Sequence, residues 1–125
     1  MTHIQDEGIR VKMNIQIFGT KKSADTRKAE RFFKERGIKY QFIDLKEKGL
    51  SKGELQSVLQ AVGNLDALID KNCKNEELLV LIRYIVPENR LQKVLENQAV
   101  LKQPIVRNGR QATVGYTPDV WKEWN

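Results

Sequence analysis

The nine residues Gly19-Thr20-Lys21-Lys22-Ser23-Ala24-Asp25-Thr26-Arg27 gather the groups of this chain best placed to do chemistry. They follow a short apolar run, Ile15-Gln16-Ile17-Phe18, and lead into Lys28-Ala29-Glu30-Arg31-Phe32-Phe33-Lys34-Glu35-Arg36, whose apolar residues recur at helical spacing. A loop that passes from a strand end into a helix N-terminus collects unpaired backbone N–H groups and the positive end of the helix dipole, which suits an anion or a thiolate. Only a hydroxyl, Ser23, stands where that chemistry would want sulfur. An alcohol is not ionised near neutral pH, and a serine nucleophile normally needs an adjacent base. The one histidine is His3, which reads as an incidental surface residue near the N-terminus. Ser23 is therefore expected to serve as a helix-flanking cap or loop hydroxyl rather than as a nucleophile. The basic cluster Lys21, Lys22, Arg27, Lys28 and Arg31 could receive an anionic partner, or could simply be the solvated side of the helix; the sequence leaves both open.

The elements that must position this loop can be read along the chain. Strand one is expected over Asn14–Phe18, a helix over about Asp25–Arg36 with Gly37 as its stop, and a second strand over Lys39–Leu45. A strand–helix–strand unit of this length implies parallel strands. Ser51-Lys52-Gly53-Glu54 is a capping box that opens a helix bearing Leu55, Val58, Leu59 and Val62, stopped at Gly63. Asn64 and Asn75 can each cap a further helix, the first carrying Leu65, Leu68 and Ile69, the second Leu78, Leu79, Leu81, Ile82 and Ile85. Pro87 suits the first turn of another, with Leu91, Val94 and Leu95. Gln103-Pro104-Ile105-Val106-Arg107 then reads as a strand, Asn108-Gly109 as a hairpin turn, Arg110–Gly115 as the returning strand, and Thr117-Pro118-Asp119 as the cap of a last helix. The order is βαβ, helices, ββα. It implies an α/β, thioredoxin-like mixed four-stranded sheet with an all-helical insert at about residues 50–100.

The 125 residues are the size of one domain, read here as residues 13–125, with 1–12 set aside as an N-terminal extension. A hydrophobic content of 40% and a charged content of 30% are ordinary for a soluble globular protein, and no apolar run approaches the length of a membrane span. A single cysteine, Cys73, cannot form an internal disulfide, which suits a reducing cytoplasm. Cys73 lies three residues after Asp70 and would share a helix face with it if the helix continues; the simpler reading is a small, partly buried apolar residue at a helix end. A net charge of +6 permits an acidic partner, but aromatics are not interleaved with the basic residues, so nucleic-acid binding is not favoured. No metal site is read.

The site loop with its Arg27-Lys28-Ala29, the helical insert, Pro104-Ile105-Val106 and the register of Val114-Gly115-Tyr116 together resemble the family of glutaredoxin-dependent arsenate reductases (ArsC) and Spx-type regulators, over Asn14 to Trp124. The resemblance implies a thioredoxin-like fold and a cis Gln103–Pro104 bond. It places the family's reactive cysteine at Ser23, the second site position at Thr26 and the arginine that follows at Arg27. Lys22, Gln103, Pro104 and Tyr116 become candidate binding residues. The arginines that hold the oxyanion in the reductases fall on Asp70, Gln103 and Tyr116. Without guanidinium forks, and with a carboxylate at residue 70, arsenate reduction is not expected. The resemblance implies no bound cofactor, glutaredoxin or glutathione as redox partners and, on the regulator side, the C-terminal domain of the RNA polymerase α subunit.

Overall fold

The computed structural model describes residues 13–124. The extension read at residues 1–12 lies outside the described residues. Four strands, β1 (Ile15–Gly19), β2 (Tyr40–Asp44), β3 (Ile105–Asn108) and β4 (Gln111–Val114), form one sheet in the order β2-β1-β3-β4. β1 and β2 are parallel, joined by helix α1 (Ala24–Glu35); β1–β3 and β3–β4 are antiparallel. Between β2 and β3 the chain is helical: α2 (Lys52–Val62), a 3₁₀ turn (Leu65–Leu68), α3 (Glu76–Tyr84), α4 (Pro87–Glu96) and a second 3₁₀ turn (Gln98–Val100). A short helix, α5 (Pro118–Trp121), follows β4.

Alternation along the strands divides the core between the two faces of the sheet. Ile15, Ile17 and Val106 face α1 and α5, where they meet Ala29, Phe32, Phe33, Trp121 and Trp124. The three rings of Phe32, Phe33 and Trp121 pack with centroids 5.0–5.2 Å apart. Phe18 and Ile105 face the insert, where Leu55, Val58, Leu68, Ile82, Val94 and Leu101 close over them. The caps fall where local chemistry puts them. Ser51 and Glu54 complete a capping box, Asn64 and Asn75 cap with their side chains, and Pro87 sits in the first turn of α4. The Gln103–Pro104 bond is cis.

Three local expectations are corrected. The hairpin turn lies one residue later than Asn108-Gly109. Asn108 is the last residue of β3 and pairs with Gln111, so Gly109 and Arg110 are the central residues, with φ +64° at Gly109 alone. A glycine at the first central position is the type II′ pattern, and it frees Asn108 to accept from Asn14 N–H at 3.1 Å and donate to Gln111 Oε1 at 3.1 Å. The helix bearing Leu65 does not continue to Cys73. It ends at Leu68, Ile69 makes a β-bridge to Leu101, and the Asp70 carboxylate accepts from Asn72 N–H in a turn. Cys73 packs half-buried against the insert core. Thr117 precedes α5 but its hydroxyl makes no capping bond and is buried without a partner.

Candidate functional site

Helix α1 starts at the C-terminal end of β1, so its free N–H groups open at the edge of the parallel pair. Gly19 ends β1, its carbonyl accepting from Leu45 N–H at 3.0 Å. A turn then closes with Ser23 N–H donating to Thr20 O at 3.1 Å. Ser23 is the N-cap of α1, with φ −77° and ψ 121°, and its Oγ accepts from Thr26 N–H at 3.1 Å. That bond satisfies one of the helix's unpaired donors and uses the oxygen as an acceptor. Arg27 Nη1 donates to Lys21 O at 2.6 Å, which folds the guanidinium back over the loop, while Lys22 is exposed.

Gln103 ties this loop to the start of β3. Its Oε1 accepts from Thr20 N–H at 2.7 Å, from the Thr20 hydroxyl at 3.1 Å and from the Thr26 hydroxyl at 3.3 Å. A backbone N–H can only donate, so the atom it meets is the amide oxygen and the Gln103 NH₂ points the other way. Thr26 is fully buried and packs on the strand end so closely that a Cβ added at Gly19 would lie 2.8 Å from its Cγ2. The bare backbone of Gly19 is what lets α1 start so close to β1. The Thr20 N–H and hydroxyl are both held by Gln103, 83 residues away. No local pattern in the sequence carries that signal.

The structure brings Ser23, Thr26, Arg27, Gln103 and Pro104 to one end of the sheet. Lys22 is on the same loop, and Tyr116 borders α1, its ring 5.7 Å from Lys28 Nζ and 5.6 Å from the ring of Trp121. Asp70 is spent on its own turn with Asn72, and its N–H donates to Val100 O at 2.8 Å. Alongside the site, Glu30 Oε1 accepts from Lys21 Nζ at 3.2 Å and from the Tyr40 hydroxyl at 2.9 Å, with Lys21 Nζ 4.2 Å from the centre of the Phe42 ring. Burial, and after it the bond to Glu30 and its negative charge, push the Tyr40 phenol from 10.0 up to about 12. It stays a neutral donor. Among the described residues no three of His, Cys, Asp and Glu cluster as metal ligands, and no helix is long and apolar enough to cross a membrane.

The site thus has a helix N-terminus, the three hydroxyls of Thr20, Ser23 and Thr26, and the Gln103 amide, without a thiol. A model of the ArsC family matches residues 18–124. A relative named global transcriptional regulator Spx 2, from Oceanobacillus iheyensis, is 31% identical over 109 residues, covering 86% of this chain and 80% of its own. Among solved structures, the arsenate reductase from Vibrio cholerae aligns with a TM-score of 0.77 at 22% identity, covering 90% of this chain and 98% of that one. An arsenate reductase (ArsC) related protein from Brucella melitensis aligns with a TM-score of 0.62 at 20% identity, covering 91% and 96%.

Proposed function

This chain belongs to the ArsC family, and from that premise we propose that it acts as a regulator-type member: a binding protein on the thioredoxin-like scaffold that does not reduce arsenate. The observation that carries the reading is how the loop's polar groups are spent. Ser23 Oγ accepts the α1 N–H of Thr26, and the Thr26 hydroxyl donates to Gln103 Oε1. An alcohol so placed, with no base to take its proton, is not a nucleophile near neutral pH. Gln103 offers one amide NH₂ where an oxyanion would need a bidentate guanidinium fork. The relative named as an Spx regulator favours the same side of the family. By that likeness the partner is the C-terminal domain of the RNA polymerase α subunit.

Two measurements test the reading. Supplied with glutaredoxin, glutathione and arsenate, the chain should give no turnover above a no-protein control; clear turnover would overturn the non-catalytic part. Size-exclusion chromatography with that polymerase domain in purified form should give a co-eluting complex, and separate elution would remove the proposed partner.

A second reading is favoured by the position of Ser23 itself. A side chain at the N-cap of α1, meeting the Thr26 N–H, is where a thiolate would be stabilised. The loop would then descend from a thiol-redox site served by glutaredoxin or glutathione, with serine in the nucleophile's place. Restoring the thiol separates the two readings.

A further inference from the structure

On the outer side of α1, away from Ser23, lies a groove of about 430 Å³ between that helix and α5. Four cations line it: Lys28, Arg31 and Arg36 from α1 and its C-cap, and Lys122 just past α5. One carboxylate, Glu35, shares it, and the rings of Phe32 and Tyr116 form its apolar part. Lys28 has Asp25 at 3.9 Å and Lys122 has Asp119 at 3.7 Å, loose pairs between exposed side chains. Such pairs are worth little and are readily exchanged. Arg31 and Arg36 form no ion pair among the described residues. The Arg36 guanidinium instead lies 3.9 Å from the centre of the Phe32 ring, a cation–π contact that holds it over the groove and takes up none of its N–H groups. Tyr116 is 40% exposed although it packs edge-on against buried Trp121, so an aromatic face is kept in water at the groove's edge.

We propose that this groove is a docking site for an acidic peptide segment of a partner protein, its carboxylates met by Arg31 and Arg36 and an apolar or aromatic side chain laid against Tyr116. Charge complementarity selects the occupant. A pre-oriented guanidinium matches a carboxylate in bidentate fashion, and a rigid aromatic beside it is the usual anchor of a protein interface. A nucleic-acid backbone fits less well. Glu35 inside the groove, and Asp25 and Asp119 beside its Lys28 and Lys122, would face a continuous row of phosphates, and of the two rings lining the groove only Tyr116 is open enough for a base to stack on. A peptide can place its charges singly and offer N–H groups to Glu35. The proposal does not depend on the partner or chemistry assigned to the Ser23 loop.

The test uses the full chain and a fluorescein-labelled peptide of Asp and Glu residues with one central Phe, followed by anisotropy. An all-Lys peptide and an oligothymidylate of matched length serve as comparison probes. The acidic peptide should bind, and the Arg31→Glu/Arg36→Glu double variant should weaken it by about tenfold or more. Lys71→Glu/Lys74→Glu, the same charge change on exposed lysines elsewhere, should weaken it by about twofold at most. Hydrogen exchange on the unaltered chain should show protection at residues 28–36 and 116–122 when the peptide is added, a readout that holds even if the double variant is destabilised. Equal loss in both double variants, protection elsewhere, or oligothymidylate binding more tightly than the peptide would each overturn the proposal.

Discussion

Two helices of this fold begin on a serine, and they begin differently. At α2, Ser51 Oγ accepts from Glu54 N–H at 3.2 Å and Glu54 Oε1 accepts from Ser51 N–H at 2.8 Å, so the start is complete within four residues. At α1, Ser23 Oγ accepts from Thr26 N–H in the same way, but the third helical residue cannot reciprocate. Thr26 is buried and its hydroxyl goes to Gln103. One helix start is local surface chemistry; the other is assembled by contacts across most of the chain. A site needs the second kind, because residues fixed from several elements hold their geometry without help from a ligand. The glycines beside the two helix starts differ as well. A Cβ on Gly53, inside α2, would meet nothing within 4 Å, whereas one on Gly19 would strike Thr26.

The largest expected effect follows from that contrast. Gly19→Ala forces Thr26 off its seat or shifts a strand end that is paired with β2 and bonded to Leu45 N–H. Overpacking of this kind costs about 1–3 kcal/mol. Gly53→Ala removes backbone freedom from the unfolded chain at a position with open space, and should stabilise by about 0.4–1 kcal/mol. Thermal denaturation of the two variants should therefore move the midpoint in opposite directions. A Gly19→Ala protein as stable as the parent would mean that α1 is not locked to β1 as described.

Next in size is a pH effect on the α1 side. The Tyr40 phenol, bonded to Glu30 of α1, is raised from 10.0 to about 12. Its folded pKa exceeds its unfolded one, so its contribution to stability is complete below pH 10 and is lost as pH climbs through 12. Alkaline denaturation should steepen across that window, and Tyr40→Phe should remove the extra slope. Glu30→Gln should bring the tyrosinate absorbance in earlier, since the charge and its bond are later-ranked causes behind burial. An unchanged absorbance titration in Tyr40→Phe would show that the late step belongs elsewhere.

Ser51→Ala comes third. It deletes one half of an exposed capping box and should cost about 1 kcal/mol, with the site loop unaffected. Hydrogen exchange should quicken in the first turn of α2 and nowhere near α1. Quickened exchange at Thr20 or Thr26 would show that the two helix starts are coupled.

Much of this is legible in the sequence because it is local or periodic. Ser51-x-x-Glu54, Asn64, Asn75 and Pro87 announce their helices by chemistry contained in one turn. The βαβ and ββα units follow from alternation and spacing. What is not legible depends on partners far along the chain. Asn108 reads as a turn residue because Asn-Gly so often is one, yet its amide is used by Asn14 and Gln111. Asp70 and Cys73 are spaced for a helix, but the β-bridge of Ile69 to Leu101 ends it first. Leu81, which its spacing assigns to the buried stripe of α3, is 45% exposed. Ser23 can be read as a cap from its own turn, while the bonds that tie Thr20 and Thr26 to Gln103 cannot.

The smallest structural change asks most directly whether the two serines differ. Ser23→Cys replaces oxygen by sulfur at the N-cap of α1, where the side chain already faces Thr26 N–H. A thiolate would accept that bond and sit at the positive end of the helix dipole, beside exposed Lys22 and the guanidinium that Arg27 folds over the loop. Each such contribution is typically about 0.3–1 kcal/mol, so together they should lower the thiol pKa by roughly one unit. Alkylation at residue 23, followed by mass spectrometry across pH, should then outpace Cys73, which is half-buried against the insert core. A mixed disulfide with glutathione should form, while arsenate should still not be reduced, because Gln103 still supplies no guanidinium fork. An apparent pKa at or above about 8.5, the value of a free thiol, would mean that the α1 start offers sulfur no more than an ordinary helix end does. Ser23 would then be a cap of the same kind as Ser51, and the redox ancestry of the loop would lose its physical support.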